Sequence, residues 1–261
     1  MIKKILLLVG IVYCAGSLFS QETMDKTYWY TSHDTKGYIS IQQKNIKIDT
    51  IVSTTLKTTV NSLFEDELLN FSVTTLCDTD KMVAPSSFSF DGTIDSNMKL
   101  VHFTGSRLKK DKKNVSYWTF EGDYMDEMET DPDFLRFTNA KYNATIRLPE
   151  RTIPSFNLWA IIPKLQFDRK GTFIFNSLDE TKLYVKKNQT VNYLGKTKIT
   201  IDGKALQVHK FALQGKKILP QYYWVNNDRE LVMVLLDNKY RFILSSKENA
   251  LQNAILADNN K

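Results

Sequence analysis

The chain has 261 residues, 35 Lys+Arg against 29 Asp+Glu, two cysteines, and a composition that is 42% hydrophobic and 12% aromatic. Its apolar fraction is too high for a disordered chain, and ten Gly and six Pro are too few for a fibrous or low-complexity one. Two cysteines exclude a disulfide-rich scaffold and a multi-cysteine zinc module, while the length is ample for burying a core.

The first twenty residues read as a secretory signal. Met1-Ile-Lys-Lys is basic, Ile5 to Tyr13 is an apolar run, and Ala15-Gly-Ser-Leu-Phe-Ser20 brings small residues before polar Gln21. That order is an n-region, an h-region and a cleavage site. The run is far short of the ~20 residues a bilayer-spanning helix needs. Cys14 follows bulky Tyr13, where a lipidated cysteine would follow a small residue, so cleavage after Ser20 is expected. Removing Lys3 and Lys4 takes the net charge from +6 to +4. The expectation is an exported protein, periplasmic or extracellular, with a bacterial envelope as its setting and a mature chain that does not span the membrane.

From Thr27 to Leu244 apolar residues recur at a period of two. Ile39/Ile41, Ile46/Ile48, Phe88/Phe90, Trp118/Phe120, Phe173/Phe175, Ile199/Ile201, Leu206/Val208 and Tyr222/Trp224 all follow it. Turn signals separate them: Asp34-Thr-Lys-Gly37, Asp91-Gly92, Asp202-Gly203 and Asn226-Asn-Asp228. Thr197 to Leu213, centred on Asp202-Gly203, is the clearest hairpin. Leu231 to Leu236 is apolar at every position, as in a strand covered on both faces. Pro154 to Leu165 predicts a short helix with Phe156, Trp159 and Ile162 on one face, ended or kinked by Pro163. A C-terminal helix is expected from Ser246 to Ala257, capped by Ser245 or Ser246, with 258–261 as a frayed tail. The fold class is therefore mostly β: a large curved antiparallel sheet of ten or more strands, half-open and barrel-like, with one short helix near the middle and one at the C-terminus. The organisation is a signal peptide over 1–20 and one β domain over 21–257.

Chemistry-bearing residues are sparse. Cys77 is the only cysteine of the mature chain; it ends a strand-like run and lacks a cysteine-hydrolase signature, so it reads as a small buried apolar group. His33, His102 and His209 are too scattered for a spaced zinc site. His102 and His209 fall out of phase with their apolar neighbours and are expected on an exposed or secondary face. Residues 121–133 hold seven carboxylates, a composition suited to calcium, but the spacing differs from a calcium-binding loop and reads as a solvated hairpin tip. Arg107 to Lys113 carries five positive charges without an aromatic platform, so nucleic acid is not an expected partner. Asn70, Asn114, Asn143 and Asn188 head Asn-x-Ser/Thr sequons, relevant only in a eukaryotic secretory host. No phosphate loop, nucleophile elbow or metal triad occurs, so no catalytic residue, metal or cofactor is assigned.

What remains is aromatic: Tyr28-Trp29-Tyr30, Tyr117-Trp118 and Tyr222-Tyr-Trp224. Such residues fill cores, and on a curved sheet they also line apolar sites. The order of Gly37-Tyr-Ile-Ser-Ile-Gln, Ala84-Pro-Ser-Ser-Phe-Ser-Phe-Asp-Gly92, the Pro154–Leu165 segment, Asp202-Gly203, Tyr223-Trp-Val-Asn-Asn-Asp-Arg-Glu-Leu231 and a short final helix resembles a broad set of uncharacterised exported bacterial β-sheet proteins. Its architecture is similar to the periplasmic lipoprotein carriers of the LolA/LolB type. The resemblance implies an exported, curved-sheet protein in a bacterial envelope context; together with the strand count and the aromatic load it leads to the expectation of a non-enzymatic protein that binds an apolar ligand, a lipid or a partner's hydrophobic segment on its concave face, the alternative being a structural or protein-interaction module. It names no functional residue.

Overall fold

A computed structural model describes residues 21–48, 51–64, 67–77, 85–94, 100–110, 115–124, 142–149, 152–167, 171–179, 184–216 and 218–255. Residues 1–20, residues 125–141 with most of the acidic stretch, and residues 256–261 lie outside them. Strand β1 (Gln21–Ser32) is followed by β2 (Gly37–Ile48), β3 (Ile51–Phe64), β4 (Glu67–Cys77), β5 (Pro85–Ile94), β6 (Leu100–Lys110), β7 (Val115–Tyr124) and β8 (Tyr142–Pro149). Each pairs antiparallel with the next. After β9 (Thr152–Pro154), a compact segment leads to β10 (Thr172–Asp179), which lies parallel to it. The meander resumes through β11 (Tyr184–Ile201), β12 (Lys204–Gln214), β13 (Gln221–Val225), β14 (Leu231–Leu236) and β15 (Tyr240–Ser245), and β15 pairs with β1.

All fifteen strands form one sheet whose two edges are β8 and β9. Those edges are neighbours in the chain. Thr152 Oγ1 donates to the Pro149 carbonyl at 2.6 Å, so the sheet curls until its ends stand one tight turn apart. The expected curved, half-open, mostly β architecture is what the chain adopts.

The alternation seen in the sequence becomes two faces. In β3, Thr54, Leu56, Thr58, Val60 and Ser62 point inward and are buried. In β4, Phe71, Val73, Thr75 and Cys77 do the same, and Phe88 and Phe90 of β5 continue the layer. Phe71 and Phe90 stack at 5.0 Å between ring centres.

The segment after β9 fills the concave side. Parallel neighbours require a crossover, and here it runs through a 3-10 turn (Ser155–Asn157), α1 (Leu158–Ile161) and a second 3-10 turn (Ile162–Lys164). Ile153, Leu158, Trp159, Ile161 and Ile162 are buried. The Trp159 ring meets Tyr30 edge-on at 5.0 Å and Phe242 at 5.8 Å, while Phe156 meets Phe71 at 5.9 Å. The helix expected over 154–165 is thus only one α-turn flanked by 3-10 turns. Pro163, which lacks an N–H, sits in the second 3-10 turn.

Helix α2 (Lys247–Gln252) is shorter than its expected span to Ala257; Ser246 caps it, accepting the Asn249 N–H at 3.2 Å. Beyond it the chain is held by side-chain amides: Asn253 Nδ2 donates to the carbonyls of Ser32 and Gly37. Gly37 is required where it is. Its φ is +117°, and a Cβ there would run into the Asn61 carbonyl and Ser62 of the paired strand. The hairpin at Asp202-Gly203 forms as expected, with both residues at positive φ (48° and 73°).

Candidate functional site

The concave face is filled at its centre by the crossover segment, with recesses on either side. The first, about 180 Å³, lies between Tyr28, Tyr30 and Ile41 of the sheet and Trp159 and Pro163 of the crossover. Burial pushes the Tyr30 hydroxyl far above the ordinary phenol range, with the Tyr28 and Glu230 charges adding to it. It therefore stays protonated. A second, more open recess of about 480 Å³ is bounded by Gln166, Phe167, Lys196, His209 and Arg229. The third, about 290 Å³, is walled by Phe173, Val191, Tyr193 and Phe211 and floored by Leu165 and Gln166. Arg229 borders the first and second, and Gln166 borders the second and third, so the three adjoin.

Phe167 is the hub. Leaving the last 3-10 turn, the chain sets its ring 4.4 Å from His209 in a stacked arrangement and 5.5 Å from Phe211. The Arg229 guanidinium lies 4.7 Å above the same ring, a cation–π geometry. Arg229 Nη1 also donates to the carbonyls of Pro163 (3.4 Å) and Leu165 (3.2 Å). The β13–β14 turn that carries it holds Arg229 at φ +61°, supported by Glu230 N donating to Asn226 Oδ1 at 2.8 Å.

His209 corrects the sequence expectation. It is only 6% exposed and faces inward with Phe211 and Leu213. The apolar pair used as the phase reference, Leu206/Val208, points the other way. Val208, Trp224 and Val232 form a second, outer apolar cluster with Ile199, Ile201 and Met233 against it. A strand apolar on both faces gives no local sign of which is concave. The His209 ring is held at both nitrogens: Nδ1 is 2.9 Å from Tyr193 Oη and Nε2 is 3.3 Å from Asn227 Oδ1. The Nε2–H tautomer, accepting from Tyr193 and donating to Asn227, satisfies both contacts. Burial raises Tyr193 as well, so it remains a donor.

Of the other sequence candidates, Cys77 and His33 lie apart from this cluster. Cys77 is fully buried at the end of β4, as expected of a small apolar group. His33 lies on the exposed β1–β2 turn with Nδ1 3.6 Å from Asp34. His102 belongs to β6, paired in register with Asp91. Glu121 and Asp123 fall in β7, and the rest of the 121–133 stretch from residue 125 on is outside the described residues, as are residues 111–113 of the basic run. Among the described residues no group of three or more His, Cys, Asp or Glu is placed to hold a metal ion, and no helix is long and apolar enough to cross a membrane. Neither Phe167 nor Arg229 stands out in the sequence. Their only local signal is the Asn226-Asn-Asp228 turn beside Arg229.

No family model matches the chain, and no curated protein matches it. Among solved structures, the crystal structure of a beta-barrel-like protein of a domain of unknown function, DUF1849, from Brucella abortus aligns over 87% of this chain and 98% of that one. The identity is 10% and the TM-score 0.45.

Proposed function

We propose that this is an exported, non-enzymatic binding protein that holds an apolar ligand on the concave face of its sheet, beside the crossover segment. The observation that carries the reading is the aromatic recess of Phe173, Tyr193 and Phe211, about 290 Å³, opening onto the larger one at Phe167. Ligand pockets are concave, mostly apolar, and supplied with a few fixed polar groups, here Tyr193, His209 and Arg229. Export rests on the signal-like residues 1–20, and the envelope context on the resemblance of the sequence order to exported bacterial β-sheet proteins.

Titration of the purified mature chain with a fluorescent apolar probe such as 1-aminoanthracene is expected to show saturable binding that Val191→Trp, which fills the recess, abolishes. Binding that is non-saturable or indifferent to Val191→Trp overturns the reading. Fractionation of the native host is expected to find the chain outside the cytoplasm, beginning at Gln21; full-length protein in the cytoplasm overturns the export half.

A second reading, a protein-interaction module, is favoured by a separate observation: the outer cluster of Val208, Trp224 and Val232 is fringed by half-buried Ile199, Ile201, Tyr222, Met233 and Leu235. Interaction surfaces are apolar patches of this kind. Concentration-dependent self-association, abolished by Met233→Glu, would support it.

A further inference from the structure

Resting on the reading that the concave recesses hold an apolar ligand, we infer that the ligand is a single-chain amphiphile with an oxyanion head, its chain in the Phe173–Tyr193–Phe211 recess and its head at Lys196 and Arg229.

The two ends of the groove differ in chemistry. Among the described residues the third recess is walled mainly by aromatic and aliphatic side chains, with no charged one in its lining. The second, which it adjoins at Gln166, is lined among the described residues by Lys196 and Arg229 and by no acidic side chain. A ligand spanning both meets an apolar wall at one end and two cations at the other. Charge complementarity selects an anionic head, and a cationic one would face like charges.

The cations are set at fixed places. Lys196 is paired across the ladder with His209, so it leaves β11 on the concave side next to the stacked His209–Phe167 rings. The two hydrogen bonds from Arg229 to the crossover both use Nη1. A guanidinium carries five N–H donors, and the remaining edge matches the two oxygens of a carboxylate or phosphate. Its seat over Phe167 keeps the guanidinium at the wall of the second recess. The phenol and imidazole are already committed to each other and to Asn227, so the head is recognised by the cations and the chain by the rings.

The test compares dodecanoate, dodecyl phosphate and dodecanol by calorimetry on the mature chain and on Lys196→Gln and Lys196→Glu. Lys196 is exposed, so both variants are expected to keep the unfolding midpoint of the parent. At least one anion is expected to bind more tightly than dodecanol. Lys196→Gln should weaken that anion by about fivefold, the size of an exposed ion pair, with Lys196→Glu weakening it further and neither changing dodecanol. The tighter of the two anions identifies the head as carboxylate or phosphate. Equal binding of dodecanol and both anions, or an anion preference that survives Lys196→Glu, overturns the charged-head inference and leaves the apolar-ligand reading standing. Binding of none of the three overturns both.

Discussion

Asn61 and Ile255 bind each other reciprocally: Ile255 N donates to Asn61 Oδ1 at 2.7 Å, and Asn61 Nδ2 donates to the Ile255 carbonyl at 3.1 Å. The side-chain amide thus reproduces one rung of a β-ladder. Asn61 alternates with inward-facing Val60 and Ser62, so this rung holds the C-terminal stretch against the outer surface of β3. Asn61→Leu removes both bonds and leaves two backbone groups to find water. The expected loss is about 1–3 kcal/mol, with faster amide exchange at Ile255 and Asn253 as the local signature. Unchanged exchange there would show that the tail is held by other contacts.

Trp159 is the centre of the crossover's packing, against Tyr30, Phe156 and Phe242. Trp159→Ala is expected to cost about 3–5 kcal/mol in denaturant unfolding, whereas Trp159→Phe should cost much less. A small effect of the alanine variant would mean that the crossover contributes little to closing the sheet.

Asp34 ties the β1–β2 turn to β15, accepting the Arg241 backbone N–H at 2.9 Å and Nη2 at 3.0 Å. Burial on its own would raise this carboxyl, but the hydrogen bonds and charge of Arg241, with a smaller part from His33, outweigh it and hold it below the ordinary value. A carboxyl lowered in the folded state adds stability above its unfolded pKa of about 3.9. That contribution is lost as the pH falls through the folded value. Asp34→Asn should therefore be less stable at neutral pH, by at most about 1 kcal/mol for so exposed a pair, and the gap should close in acid. A gap that persists at low pH would assign the effect to something other than the charge.

Gly37→Ala meets two obstacles at once, a positive φ and the backbone of the neighbouring strand. The expected cost is about 1–3 kcal/mol. Because Gly37 also donates its N–H to the Asn253 carbonyl at 2.9 Å, protease sensitivity near the C-terminus should rise with it. A parent-like unfolding midpoint and digestion pattern would contradict this.

Much of this protein was determined locally, and those parts were legible. The period-two runs became strands because alternation is a property of neighbouring residues. Asp202-Gly203 became a hairpin because its backbone favours positive φ, and Ser246 became a cap because its hydroxyl reaches a nearby N–H. Mostly β, curved and half-open follows from many such runs with little helix. The sequence is also the sole ground for export, through residues 1–20. What only the tertiary structure decided is which face is concave. Leu206/Val208 and His209/Phe211 are equally good phases of one strand, and the closure of β15 on β1 and of the edges at Pro149 and Thr152 turns the second inward. The same closure brings Phe167, His209 and Arg229 together from three distant stretches of chain. No spacing rule records such a meeting, because it depends on where a fifteen-stranded sheet completes its turn.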